Sequence, residues 1–168
     1  MRPTLENVRA VGDFATRYQW NLKFLSSPKG LSAPSAELNI RCETTALPVP
    51  KGEVIPIEIR GHVVHQPGKV KPGGSLSMTF VETVDNVVMN FLENWRKMIW
   101  APNTGVQQKN EDVKCDIQME RLNRQDQVIM TDVVKGAFLL TFSKPPLDNA
   151  NEAFKPVLTV QYDSYETK

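Results

Sequence analysis

The feature that most constrains this chain is a repeated two-residue alternation of apolar and polar side chains, in short runs that proline or glycine cuts off. Tyr18, Trp20, Leu22 and Phe24 alternate with Gln19, Asn21 and Lys23 before Ser26-Ser27-Pro28-Lys29-Gly30 ends the run. A period of two places the apolar residues on one face of an extended chain, so each run buries one side and wets the other. Ala36 to Cys42 reads the same way, with Leu38, Ile40 and Cys42 opposite Glu37, Asn39 and Arg41. Glu53 to Ile59 carries Val54 or Ile55, Ile57 and Ile59, and Pro56 assigns that run to an edge or a bend. Ser75 to Val81 follows. Val113, Cys115, Ile117 and Met119 then alternate with Lys114, Asp116, Gln118 and Glu120. Val128 to Val134 and Ala137 to Phe142 are two further runs broken by Lys135-Gly136, and Leu158 to Asp163 closes the series. The 12 prolines and 9 glycines fall mostly between the runs. The reading is about seven or eight strands.

Two segments depart from the alternation. Gln66 to Gly74, QPGKVKPGG, reads as an exposed turn or long loop, and its neighbours suggest a hairpin projecting from the body over about residues 48–75. Val84 to Trp100 is helical: Val84, Val87, Val88, Phe91, Leu92, Trp95 and Ile99 recur at the offsets of one helical stripe. Thr83 is the expected N-cap, with Asp85 in the first turn, and Ala101-Pro102-Asn103-Thr104-Gly105 ends the helix. Trp95 and Trp100 read as core residues rather than a stacking platform for bases. The fold class is mainly β, a two-sheet sandwich or barrel with one flanking α-helix over about residues 84–100. The 168 residues form a single domain, with a polar N-terminal arm over about residues 1–12 that orders only against a neighbour.

Composition excludes several functions. Lys+Arg is 20 and Asp+Glu is 19, and a net charge of +1 is too small for a sequence-independent nucleic-acid binder. No apolar run approaches the roughly 20 residues needed to span a bilayer. The N-terminus lacks the apolar stretch of a secretory signal, which points to assembly in a cytoplasm. Cys42 and Cys115 lie far apart in apolar runs and read as reduced core thiols, a disulfide being the minor alternative. His62 and His65, three apart in a β-branched stretch, point to opposite faces and do not form a metal pair. No nucleophile elbow, phosphate loop, HExxH or CxxC occurs, so neither an enzyme nor a cofactor is expected.

One stretch is distinctive. Ile40 to Pro48, IRCETTALP, ends a strand and leaves into a proline-rich connection. It resembles an element of the tail tube proteins of contractile-tailed (T4-like) bacteriophages, carried here by Cys42, Thr45, Ala46, Leu47 and Pro48. Other matches fall in the same order along the chain. Gly12-Asp13-Phe14-Ala15 is similar to a GDFA before their first strand. Ile55-Pro56-Ile57 is similar to an IP-containing connection, and Asn90 to Trp95 to the Phe…Trp pattern late in their helix. Val134-Lys135-Gly136-Ala137 resembles an I-K-G-x turn, and Leu158 to Asp163 their final strand. The stretches Ser26 to Ser35 and Gln66 to Gly74 differ from that pattern.

The resemblance implies a tail-tube or Hcp-like fold of two roughly orthogonal sheets with a helix on one flank. It implies a structural virion protein whose copies close into hexameric rings, the rings stacking into the conduit for DNA ejection. Its partners would be itself, the tail sheath, the baseplate or tube initiator and the tail terminator, with tape measure protein and genomic DNA passing through the lumen. The same architecture serves pyocins and type VI secretion, so a tube subunit or initiator of a related injection machine is the alternative. Within this frame Lys51, Glu53, Gln66, Lys69 and Lys71 are candidates for ring stacking. The polar faces Glu37/Asn39/Arg41, Asp116/Gln118/Glu120 and Thr159/Gln161/Asp163 are candidates for the lumen, because a basic bore would trap DNA.

Overall fold

The computed structural model describes residues 4–11, 16–148 and 151–168. The Gly12 to Ala15 motif lies outside them. In chain order the elements are α1 (Leu5–Arg9), β1 (Trp20–Phe24), α2 (Ser35–Arg41), β2 (Cys42–Thr45), β3 (Lys51–Ile59), β4 (His62–Lys71), β5 (Gly74–Phe80), α3 (Val87–Ile99), α4 (Asn110–Val113), β6 (Cys115–Leu122), β7 (Val128–Ser143), β8 (Val157–Tyr162) and β9 (Ser164–Thr167). No helix among the described residues is long and apolar enough to cross a membrane.

Seven strands form one antiparallel sheet that folds over on itself. β7 is the long strand at the fold. Its residues Asp132 to Lys135 pair with β9, whereas Phe138 to Ser143 pair with β8. One half therefore runs β1-β6-β7-β9 and the other β7-β8-β5-β2. Gly136, between the two pairings, has φ +64°, and its amide donates to Asp116 Oδ1 at 2.9 Å. A residue with a side chain is strained in that left-handed conformation. The expected pair of runs broken at Lys135-Gly136 is thus one strand bent there. β9, too short and polar to stand out in the sequence, follows on beyond the corresponding turn of β8.

The two halves share one core with α3. Leu22 and Phe24 from β1, Cys115, Ile117 and Met119 from β6, Leu76, Met78 and Phe80 from β5, and Leu158, Val160 and Tyr162 from β8 meet Val88, Phe91, Leu92 and Trp95 of the helix. Trp95 is fully buried, packs on Phe91 at 5.6 Å and Phe24 at 6.5 Å between centroids, and donates its indole N–H to the Val113 carbonyl at 2.9 Å. The expected sandwich with a flanking helix is what the chain forms. Trp100 is a correction: it follows the helix in an extended conformation and is 45 % exposed, so it is not a core residue.

The helix also starts later than its apolar pattern suggests. Val84 is almost wholly exposed, and Asn86 at φ 53° precedes the first helical turn. The cap is not Thr83 but the buried carboxylate of Glu82, which accepts the amides of Met89 at 2.6 Å and Val88 at 3.4 Å. Amides left without partners at a helix start need an acceptor, and a carboxylate there also meets the positive end of the helix dipole. Thr83 Oγ1 instead accepts a hydrogen bond from Arg41.

Ala36 to Cys42 is not a strand. Ser35 to Arg41 is helical, with Leu38 buried and Ile40 81 % exposed, and Glu37 pairs with Arg41 one turn on at 2.9 Å. Over seven residues an alternating pattern does not separate strand from helix, and Ala, Glu, Leu and Arg all favour the helix. Its place explains the outcome. Asn39 Oδ1 accepts the Leu22 amide at 2.6 Å and Ser35 Oγ the Phe24 amide at 3.0 Å, so α2 covers the outer edge of β1.

Cys42 and Cys115 are both free and buried. Burial pushes the Cys42 thiol up to about 12, against a small opposing effect of its hydrogen bond to the Thr44 carbonyl, and burial raises Cys115 likewise. Thiolate is the reactive form. At pH 8 the native protein is therefore expected to resist a thiol reagent such as DTNB, with both cysteines reacting on denaturation. Rapid labelling of the folded chain would contradict this burial.

Candidate assembly surfaces

Among the described residues β3 and β4 pair only with each other, in a hairpin outside the main sheet. The strands meet at Arg60 and Gly61, both in the left-handed region (φ 50° and 83°), as a two-residue hairpin turn requires. The expected long turn over Gln66 to Gly74 is therefore strand for most of its length. Pro67 and Gly68 are tolerated in β4, as Pro56 is in β3, because both strands of a two-stranded ribbon are edge strands, in which alternate amides face away from the partner. Opposed residues share a face. Ile55, Ile57 and Ile59 lie with Gln66, Val64 and His62, and Val54, Pro56 and Glu58 with Pro67, His65 and Val63. His62 and His65 accordingly sit on opposite faces.

Of the residues singled out for stacking, Lys51, Glu53, Lys69 and Lys71 gather near the base of the hairpin and Gln66 lies midway along it. Lys71 Nζ lies 2.6 Å from Glu53 Oε1. That contact lowers the Glu53 pKa and raises that of Lys71, though both groups are solvated and the pair contributes little. The sequence reading missed the apolar load of this hairpin. Val54, Ile55, Ile59, Val63, Val64 and Val70 are each at least half exposed, on both faces of a ribbon that contributes nothing to the core. The signal was present in EVIPIEI and HVVHQ, whose β-branched residues do not sort onto a single face.

The family-motif residues sit where β2 leaves the sandwich. Cys42 is buried, Thr45 Oγ1 lies 3.6 Å from Met119 Sδ across the core, and the Ala46 amide donates to Ser77 O at 3.0 Å. Pro48 is buried and Leu47 is exposed.

Asp116, Gln118 and Glu120 share the face of β6 turned away from the core, beside Asn21 and Lys23 of β1. Glu120 is nearly buried there. Its carboxylate meets Lys23 Nζ at 2.7 Å and Gln118 Nε2 at 2.6 Å. Burial raises its pKa, but the bonds from Lys23, Gln118 and Asn21 outweigh that and hold it below the ordinary value. Lys135 and Glu166 continue the face with a pair at 2.5 Å. Of the other polar faces, Glu37, Asn39 and Arg41 belong to helix α2 and not to a strand surface. Thr159 and Gln161 lie on β8, and Asp163 is held at the corner by Lys114 at 2.6 Å. Among the described residues no three His, Cys, Asp or Glu side chains gather as metal ligands.

Comparison with solved structures identifies the fold. The chain superposes on a subunit of the tube-terminating cap of an anti-feeding prophage with a TM-score of 0.67 and 15 % identity, over 94 % of this chain and 92 % of that one. A chain of the sheath-tube complex of an extracellular contractile injection system, in its extended state, gives 0.63 and 17 % over 98 % of both. A chain of the sheath/tube terminator of such a system gives 0.66 and 15 %, over 94 % of this chain and 99 % of that one. No protein-family model matches the sequence. No curated protein matches it either. The chain thus shares its fold with components of contractile injection systems, the fold implied by its resemblance to tail tube proteins.

Glu120 gives a test of the β6 face. Its folded pKa is depressed, so its contribution is complete above the unfolded value near ~4.3 and is lost as pH falls through the folded value. Lys23→Ala is expected to destabilise the chain by about 1–2 kcal/mol at pH 7, since it leaves a nearly buried carboxylate without its cation. The difference from the parent should shrink below pH ~4 as Glu120 protonates. Urea unfolding at pH 7 and pH 3 measures both; an equal difference at the two pH values would remove Glu120 from this role.

Proposed function

We propose that this chain is the tube subunit of a contractile phage tail: six copies close into a ring, and rings stack into the conduit for DNA ejection. The observation that carries the reading is the Lys51–Lys71 hairpin, an apolar ribbon outside the core of a chain whose fold is that of injection-machine components. A lone two-stranded hairpin is at best marginally stable in water, so this one needs a surface to lie on. A copy in the next ring supplies one, and head-to-tail contacts of this kind propagate without end along an axis. Within a ring, the edges of β2, β9 and the second half of β7 are open to neighbouring copies, whereas β1 is covered.

Asp116, Gln118 and Glu120 are assigned to the lumen. Their face carries Lys23, Lys135 and Lys168 against Asp116, Glu120 and Glu166, three cations to three carboxylates. Such a surface is ion-paired and balanced in charge, and offers DNA no basic track. Further proposed partners are the sheath outside, the baseplate or tube initiator and the tail terminator at the ends, and tape measure protein within. Nothing in this role calls for catalysis or a cofactor. A second reading is a tube, initiator or terminator subunit of a related injection system, and the likeness to a tube-terminating cap and to a sheath/tube terminator favours it.

Purified protein concentrated and viewed by negative-stain electron microscopy is expected to form hollow rods; single rings without rods would favour the terminator. Replacing residues 52–70 by a short glycine-serine turn is expected to leave a soluble subunit with unchanged near-UV circular dichroism and no rods. Rods of normal length from that variant would exclude the hairpin from stacking.

A further inference from the structure

The sandwich is closed along β7 and open on the opposite side, between β1 and β2. Helix α2 fills part of that opening. The remainder is a cleft of about 560 Å³ floored by Met119 and walled by Trp20, Thr45 and Leu47, within the roughly 300–1,000 Å³ of ligand-sized sites.

Charge in the cleft is unbalanced. Glu43, in its lining, is held by Lys155 at 2.6 Å, and the Glu120 carboxylate is turned to the other face of β6, on Lys23 at 2.7 Å. Its two cations, Arg17 and Arg121, have no carboxylate within ion-pair range among the described residues. Arg121 Nε is buried and makes no hydrogen bond among the described residues. Buried donors left in that state are costly, so an acceptor is called for. The N-terminal segment offers one acceptor of the right charge, Glu6, one turn before the cation Arg9, beside exposed apolar residues. Leu5 and Val11 are 65 % and 70 % exposed, and Glu6, the sole acid among residues 4–11, has no ion-pair partner among the described residues. Among the described side chains of residues 4–6 and 9–11 none lines the cleft of its own chain, although only four residues separate Val11 from Thr16 at its mouth.

We propose that this cleft receives the N-terminal segment, residues 4–11, of a second copy, its leucine covered by the cleft wall and Glu6 meeting Arg17 and Arg121. The inference rests on the tube reading in needing a second copy; it adds which surface of one subunit grips which segment of the next.

The test mixes two single substitutions in full-length protein, Leu5→Cys in one chain and Leu47→Cys in a second chain carrying a mass tag, under mild oxidation. The native thiols are buried, and the unsubstituted pair serves as control. The expected result is a disulfide joining tagged to untagged chain as the main product, because only contact between copies forms it. Glu6→Arg and Arg17→Glu are each expected to weaken self-association about tenfold, and the two together to restore it. Absence of the mixed disulfide overturns the placement, as does an intrachain disulfide when both cysteines are put in one chain. Failure of the double charge swap to restore association overturns the role of Glu6. Micrographs of the same samples separate this inference from the tube reading. Rods without the disulfide refute the cleft contact alone; disulfide without rods refutes the tube alone; the absence of both refutes both.

Discussion

β7 has to serve two sheets at once, and the rest of the molecule is arranged around the place where it changes from one to the other. At Gly136 the chain passes through φ +64°, and a Cβ there would collide with the Asp163 carboxylate. Asp163 lies between β8 and β9, where the neighbouring strand makes the same turn. Its amide donates to Lys135 O at 3.1 Å and its carboxylate holds Lys114. Two adjacent strands thus bend together and keep their pairing. The bend brings Ile117 and Met119 over Leu76, Met78 and Leu158, creating one core where a flat sheet would have exposed an apolar face.

A sandwich closed at one side by a continuous strand is open at the other, and the chain manages that opening with side chains. Asn39 and Ser35 accept the β1 amides that a further strand would otherwise take. Arg41, at the end of the same helix, lies 3.9 Å from Glu82, whose carboxylate caps α3. Helix α2 therefore shields one sheet edge and steadies the start of the helix that roofs the core. Such a cover over a sheet edge follows the same logic as the protected edges of other β proteins.

Much of this was legible because burial on one face writes a period of two. β1, β5, β6 and β8 fall where Trp20-Leu22-Phe24, Leu76-Met78-Phe80, Cys115-Ile117-Met119 and Leu158-Val160 place them. The α3 stripe was equally plain from Val88 to Trp95. The failures lie where a contact from outside the element decided the outcome. α2 imitated a strand because Leu38 alone faces inward and its polar residues serve β1, 17 positions earlier for Asn39 and Leu22. The α3 cap was misplaced because Glu82, outside the helix, reaches in from before the turn. In the candidate sites, the basic and acidic residues of the hairpin were visible, but its uncovered valines and isoleucines were read as ordinary strand residues. The cleft could not be foreseen, since it joins Arg17, Leu47 and Arg121 from three separate segments.

The separation between core and hairpin is the strongest physical argument that this chain is built for company. No residue of β3 or β4 belongs to the core cluster, so the sandwich does not need the hairpin to bury its own apolar surface. The reverse also holds, because the sandwich does not cover the hairpin. A ribbon of this length with branched apolar residues on both faces exposes surface that water disfavours, at roughly 25 cal/mol per Å². In an isolated monomer that surface gives no return and invites aggregation. It is accounted for when the ribbon lies between surfaces, one face on each, which is the situation of a strand pair inserted into a neighbouring subunit. In the assembly proposed above, the charged residues near its base, with Glu53 and Lys71 already paired at 2.6 Å, form the rim of that contact.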